Sequence, residues 1–259
     1  MSMLGQGTFN DRVCVVTGGG SGIGAAIAGM LAALGGRVAV LGRQLAPLES
    51  TVAEIARAGG TGLALPVDVR DHVAVEQALT KVSQSLGPVD HLVNCAAGNF
   101  RLAPEKLSPN GWQAITRIVL DGTWNCTQVV GRALIDAGRP GSIVSLGSSK
   151  AHAGGADTVP SAAAKAGVYA MTRSLAEAWG RHGIRLNIVT PGVTLGTGAV
   201  ARLFADPGAL ERDRNKVPLG RHTTLAEVSD AVSYLLSDHA SSITGAELVL
   251  DGGRSLGIG

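Results

Sequence analysis

The chain has 259 residues, a formal net charge of +2, 45% hydrophobic but only 3% aromatic residues, and 37 glycines; that length suits one large α/β domain or two small ones, with a core of small aliphatic side chains. The charge gives no basic field that would argue for nucleic acid, and no apolar run reaches the roughly 18 residues of a membrane span. Cys14, Cys95 and Cys126 lack metal-ligand or C-x-x-C spacing and read as small buried apolar side chains; reduced thiols, and a segment 1–10 without the charged-then-apolar pattern of a signal peptide, predict a cytoplasmic protein.

Val13-Cys14-Val15-Val16 reads as a buried strand that runs into Thr17-Gly18-Gly19-Gly20-Ser21-Gly22-Ile23-Gly24, and Ala25 to Leu31 as the helix this turn opens. Such a turn sets unpaired backbone N–H groups, at the positive end of a helix dipole, around an anion. Without side chains, Gly18, Gly22 and Gly24 let a pyrophosphate and the helix approach the backbone, so the stretch predicts dinucleotide binding. Arg37 to Gly42 is a second strand ending at Arg43, residues 45–58 are a helix stopped by Gly59-Gly60, and Thr61 to Val67 is a third strand delivering Asp68-Val69-Arg70. Asp71 caps a helix to about Leu86, and Val89 to Val93 is a fourth strand that ends in Asn94-Cys95-Ala96-Ala97-Gly98-Asn99-Phe100.

A long helical pattern over 112–137 precedes a fifth strand, Ser142 to Leu146, which leads into Gly147-Ser148-Ser149-Lys150. Residues 161–181 form another helix, and Ile184 to Val189 a sixth strand ending at Thr190-Pro191-Gly192. The polar, glycine-bearing stretch 193–222, with a short helical piece near 199–212, reads as a substrate flap. A helix over 225–236 and a last strand over 247–250 complete the chain. This alternation implies a parallel sheet covered on both faces: a single Rossmann-type, doubly wound α/β domain over 1–259, with its ligand groups at the carboxyl ends of the strands.

An acidic residue ending the second strand would hold the ribose hydroxyls of NAD; Arg43 stands there instead and can bind the 2′-phosphate of NADP bidentately, unless it is a solvated surface arginine. Asp68 can hydrogen-bond the adenine amino group or, next to Asp71, simply start a helix. The histidines show no ligand spacing and the carboxylates no cluster, so no metal is expected. His152 reads as a solvated loop residue, and His72, His91, His182, His222 and His239 as surface residues.

Thr17-Gly18-x-x-x-Gly22-x-Gly24, Asn94-x-Ala96-Ala97-Gly98, Lys165 on the helix over 161–181 and Pro191-Gly192 together resemble the short-chain dehydrogenase/reductase superfamily, in its order and over nearly the whole chain. The resemblance implies nicotinamide-cofactor contacts from Thr17, Gly18, Gly20, Ser21, Gly22, Ile23 and Gly24 in the first turn. Asp68, Val69, Asn94 and Ala96 follow at the next strand ends, then Lys165, and lastly Pro191, Gly192 and Val193. It also implies tetramers formed through the helices over 112–137 and 161–181, where Trp112, Trp124 and Trp179 read as interface or core anchors. Ser148 matches the family's serine, but the position of its tyrosine, four before Lys165, holds Ser161. The chain's other candidates are Tyr169 and Tyr234; Tyr169 lies roughly 12 Å further along the same helix and reads as a packing residue.

Losing that phenol is chemically selective. Hydride transfer to a ketone leaves a strongly basic alkoxide that needs a proton donor beside it. Hydride transfer to the far end of a conjugated thioester leaves a delocalised dienolate, which hydrogen-bond donors at the thioester oxygen suffice to stabilise. Ala97-Gly98-Asn99-Phe100, Leu107-Ser108-Pro109-Asn110, Ile118-Val119-Leu120-x-Gly122-Thr123 and Pro160-Ser161-x-x-x-Lys165-Ala166-Gly167 resemble the 2,4-dienoyl-CoA reductases. That resemblance implies NADPH-dependent reduction to a 3-enoyl-CoA, with Asn99 on the thioester oxygen, Ser148 and Ser161 as further donors, and Lys165 on the nicotinamide ribose. Substrate contacts then fall on Arg70, Phe100, Ser108, Lys150 and Arg202. Mitochondrial members carry a tyrosine at the place of Lys150 and peroxisomal members an aspartate at the place of Val119, so the proton donor stays unassigned. Asn99 and Ser148 can also be read as turn residues and Lys150 as a surface lysine. A 3-oxoacyl thioester reductase and an inactive NADP-binding interaction protein remain the alternative readings.

Overall fold

In the computed structural model, which describes residues 4–198, 200, 204 and 206–257, parallel strands and helices alternate along the chain. The strands are β1 (Val13–Thr17), β2 (Arg37–Gly42), β3 (Thr61–Pro66), β4 (His91–Asn94), β5 (Gly141–Leu146), β6 (Ile184–Pro191) and β7 (Glu247–Leu250). They pair in the order β3-β2-β1-β4-β5-β6-β7, every pair parallel. Being covered on both faces, the central strands are continuous apolar runs: all five residues of β1 are buried.

The side-chain period of two divides those runs between two cores. Cys14, Val16, Val38, Val40 and Val144 point to one face, under α1 (Gly22–Ala33) and a late helix, Leu225–Leu236. Val13, Val15, Ala39, Leu41 and Ile143 point to the other, under α3 (His72–Leu86) and α5 (Gly122–Asp136). α2 (Leu45–Arg57) covers the β2–β3 end on the first face. Strand order reverses between β1 and β4, which opens a crevice at their carboxyl ends. One oxygen stitches this point: Thr17 Oγ1 accepts the backbone N–H groups of Cys95 and Ala96, each at 3.0 Å, and donates to the Val93 carbonyl at 3.3 Å.

The helix expected over 112–137 is instead two helices joined by a π turn. α4 (Pro109–Thr116) starts early because Ser108 accepts the N–H of Gly111 at 3.1 Å and Pro109 sits at the first helical position. The π turn (Arg117–Asp121) then inserts before α5. A short α6 (Lys150–Ala153) occupies the loop after β5, and α7 runs over Val159–Trp179. Within the stretch 193–222, α8 (Pro207–Arg214) starts at its cap Asp206; part of the helical piece expected near 199–212, including Arg202, lies outside the described residues. α9 is the helix Leu225–Leu236, opened by a capping box of Thr224 and Glu227.

Two histidines expected at the surface are buried. His91, on β4, packs edge-on against Phe9, and burial pushes its pKa down to about 4. His222, in the loop before α9, is 8% exposed, with Nε2 3.3 Å from Asp213 Oδ2 of α8 but outside hydrogen-bond geometry. Both sit where neighbouring elements cover a strand or loop end, which local sequence does not report. Among the described residues no helix is long and apolar enough to cross a membrane, and no group of His, Cys, Asp or Glu is placed to share a metal ion.

Candidate active site

The glycine turn is shaped by close approach. Gly18 (φ +68°) and Gly22 (φ +53°) adopt the left-handed backbone that glycine tolerates. A Cβ on Gly18 would stand 3.0 Å from the backbone of Ala96, and one on Gly24 would overlap the Gly18 carbonyl. Ser21 precedes α1 without capping it through its side chain, so the first-turn N–H groups of Gly22, Ile23 and Gly24 are left to an anion. Gly20 lies over Pro47, which closes the turn from the α2 side. The cradle therefore fits a dinucleotide pyrophosphate, as expected from sequence.

Arg43 is exposed immediately after β2, and no carboxylate stands at that strand end. Asp68 is not the helix start: Asp71 caps α3 by accepting the Ala74 N–H at 3.0 Å. The Asp68 carboxylate instead takes the Arg70 guanidinium, Nε to Oδ1 at 2.9 Å. That hydrogen bond holds its pKa below the usual carboxylate value, against the effect of burial and with a smaller contribution from Arg43. Arg70, expected to meet substrate, is thus already paired. Val69 is buried against Gly122, and its carbonyl accepts Asn125 Nδ2 at 2.9 Å.

Further along the sheet the site is written in side chains. Asn94, 5% exposed, donates to Thr127 Oγ1 at 2.9 Å while its own Oδ1 has no partner. Asn94 faces Ser145 across the β4–β5 pair, so the loops bearing Asn99 and Ser148 leave the sheet side by side. They are tied together again: the Leu102 N–H donates to the Asp157 carbonyl at 2.9 Å, and Arg101 pairs with the Asp157 carboxylate at 3.3 Å. Lys165, 8% exposed, hydrogen-bonds the Leu146 carbonyl at the end of β5. Burial pushes its pKa down to about 8, opposed by Cys95 just past β4. Ser161 lies one turn before Lys165 on the same face of α7.

Asn99 is exposed and, like Ser161, engaged by no other described group. Ser148 Oγ accepts the Lys150 N–H at 3.3 Å. Lys150 is the exposed first residue of α6 and curls back towards Gly155. Phe100 packs beside Ile115, Val119 and Ala164, an apolar wall against the π turn. The Ser108 hydroxyl is occupied as the cap of α4. Beyond β6, Gly192 N–H donates to the Leu250 carbonyl at 2.8 Å, and the Val193 carbonyl accepts from Thr223 N–H at 3.1 Å, which fixes the Pro191-Gly192-Val193 strand end. Trp112 and Trp124 are exposed on α4 and α5, whereas Trp179 is partly buried on Gly131 against the core.

Sequence reasoning missed one cluster. Tyr169 does more than pack: its buried hydroxyl hydrogen-bonds Thr190 Oγ1 and donates to Glu247 Oε1 at 2.7 Å. His152 Nε2 lies 2.7 Å from Glu247 Oε2, so this half-exposed histidine is held by a hydrogen-bond partner rather than loose in solvent. The available signal was the spacing of Ser161, Lys165 and Tyr169, four apart on one helix face.

A glycine cradle at a topological switch point, at the carboxyl ends of parallel strands, is the form of a dinucleotide-binding site in an open α/β sheet. Comparison with known proteins gives the family. The model of a family described as enoyl-(acyl carrier protein) reductase matches residues 18–255, and the chain belongs to the short-chain dehydrogenases/reductases. It is 42% identical over 249 residues, 96% of this chain and 98% of the other, to the Bacillus subtilis protein named "Probable 2,4-dienoyl-CoA reductase [(2E)-enoyl-CoA-producing]". It is 40% identical over 257 residues, 97% of this chain and 83% of the other, to the Caenorhabditis elegans protein named "Probable 2,4-dienoyl-CoA reductase 3 [(3E)-enoyl-CoA-producing]". The crystal structure of a Burkholderia cenocepacia gluconate 5-dehydrogenase in complex with NADP and tartrate has a TM-score of 0.91 at 27% identity, covering 98% of this chain and 99% of that one.

Proposed function

We infer that this protein is an NADPH-dependent reductase of conjugated fatty acyl-CoA, converting a 2,4-dienoyl-CoA to a 3-enoyl-CoA in the cytoplasm. The observation that carries the reading is the absence of a phenol among the site groups. Ser161 stands one turn before Lys165, the Tyr169 hydroxyl is spent on Glu247 and Thr190, and Tyr234 lines a groove between α9 and β7. An alkoxide formed here would lack its proton donor, while a dienolate needs only hydrogen bonds.

When bound, NADPH supplies a hydride to the far end of the conjugated system. Gly18, Gly22 and Gly24 admit its pyrophosphate to the backbone, Arg43 takes the 2′-phosphate, Asp68 the adenine edge, and Lys165 the nicotinamide ribose hydroxyls. The Asn99 amide donates to the thioester oxygen as negative charge gathers there, with Ser148 and Ser161 adding hydroxyls. Phe100 meets the acyl chain, and Lys150 and Arg202 the more polar part of the substrate; Ser108 and Arg70 border it while engaged elsewhere. Protonation of the dienolate at the α-carbon leaves the 3-enoyl product; protonation at the γ-carbon would leave the 2-enoyl isomer.

The names of the Bacillus and Caenorhabditis relatives support the substrate class and divide on the isomer. NADPH oxidation followed by absorbance, with a 2,4-dienoyl-CoA and in parallel a 3-oxoacyl-CoA, tests the reading. Turnover of the dienoyl substrate alone is expected, and NMR of the product shows which isomer forms. Turnover of only the oxoacyl substrate would make the protein a carbonyl reductase. Tight NADPH binding with neither reaction would make it a cofactor-responsive interaction protein. Asn99→Ala should lower kcat on the order of 10²-fold without weakening NADPH binding.

A further inference from the structure

Glu247, Tyr169, His152 and Thr190 meet behind the Ser148 loop from four separate elements. Glu247 opens β7, Tyr169 comes from α7, His152 from α6 and Thr190 from β6. The Glu247 carboxylate accepts the Tyr169 hydroxyl at 2.7 Å through one oxygen and faces His152 Nε2 at 2.7 Å through the other. The His152 and Tyr169 rings meet edge to face, 4.8 Å between centroids. The Ser148 backbone lies close enough to the same phenol to favour its ionised form, against the larger effect of burial. At Gly147 even a Cβ would collide with the Tyr169 and Thr190 hydroxyls, so the strand end is pressed directly onto this group. On the far side the cluster opens onto a cleft of about 280 Å³ lined by Ser149, Thr190 and Ser255.

Two physical points give the cluster a task. A helix of four residues cannot hold itself together and must be tethered; among the described residues the one hydrogen bond from an α6 side chain to the rest of the fold is His152 to Glu247, with the His152 ring also against Tyr169. A half-buried carboxylate is unfavourable unless it is hydrogen-bonded. Burial works to raise the Glu247 pKa, and bonds from Tyr169, Thr190 and His152 outweigh it, so the carboxylate is ionised and can hold both partners.

We propose that Glu247 is a positioning residue: through Tyr169 it fixes the Gly147–Ser148 strand end and through His152 it anchors α6, which together set where Ser148 and Lys150 stand. The inference rests on the reductase reading above, so its test includes a measurement that needs no turnover. Tyr169→Phe removes one hydroxyl and keeps the ring on His152, Glu247→Ala removes both acceptors, and Glu247→Gln keeps an acceptor for Tyr169. Amide exchange over 148–153 is expected to rise about tenfold in Tyr169→Phe and Glu247→Ala. Their kcat with dienoyl-CoA should fall about tenfold while the NADPH dissociation constant stays within twofold, and Glu247→Gln should recover most of the loss. Unchanged exchange, unchanged kcat, or an equal loss of NADPH affinity would overturn the proposal. Were the wild type to reduce no dienoyl-CoA, the functional reading would fail by itself, and the exchange data alone would decide whether the clamp exists.

Discussion

The two ends of the ligand crevice are built from different materials. At β1 the chain meets its ligand with backbone: left-handed glycines, free first-turn N–H groups, and atoms packed so closely that a single methyl overlaps a carbonyl. At β5 it works with side chains: a buried lysine on a strand-end carbonyl, serines on two elements, and an exposed amide on the neighbouring loop. A backbone cradle fixes which general kind of ligand enters and tolerates almost no substitution. A side-chain site fixes which reaction follows and can be rewritten one residue at a time.

This contrast can be broken most sharply at the cradle. Gly24→Ala places a methyl on the Gly18 carbonyl, so the turn must shift; NADPH affinity, read by fluorescence titration, should fall on the order of 10³-fold, comparable to severe single-site defects. Full affinity in this variant would show that the backbone is not the ligand. The edge of the same half is softer. Arg43→Ala removes one bidentate charge-assisted contact, so the Kd for NADPH should rise roughly 10- to 100-fold with NADH binding unaffected; equal changes for both cofactors would return Arg43 to the solvent.

The smallest effect sharpens the side-chain half. Lys165 has a folded pKa of about 8, below its ordinary 10.5, because burial disfavours its ammonium. Between those values the unfolded chain binds more protons than the folded one, so this group's contribution to stability rises as pH climbs from about 8 to about 10.5. Urea denaturation of the wild type and Lys165→Met should diverge within that range by up to about 1.4 kcal/mol per pH unit. Parallel curves would mean that Lys165 stays charged in the folded protein.

How far the chain could be read in advance follows the same division. The glycine turn and Lys165 are local patterns with fixed spacing, and they lie at the carboxyl ends of β1 and β5, whereas the strand order and its switch point emerge only from tertiary pairing. Helix limits failed where packing intervenes: an apolar period runs through the π turn over 117–121 with no break in sequence. The short α6 has too few residues for any period to register. His91 and His222 look like surface residues until a neighbouring element covers them. The Glu247 clamp joins residues up to 95 positions apart; the i, i+4 spacing puts Tyr169 on the Lys165 face, but nothing in the sequence announces Glu247 or His152 as its partners. Ser108 and Arg70 show the opposite case, side chains read as awaiting a substrate that already serve a helix cap and a carboxylate.

Thr17 has a mechanical corollary. Because a lone hydroxyl rivets the ends of β1 and β4 through three bonds, the jaw that grips the nucleotide keeps a constant gape. Any give needed to seat guests of unequal bulk must come from the opposite jaw, where Asp157 lashes the Asn99 and Ser148 loops into one span.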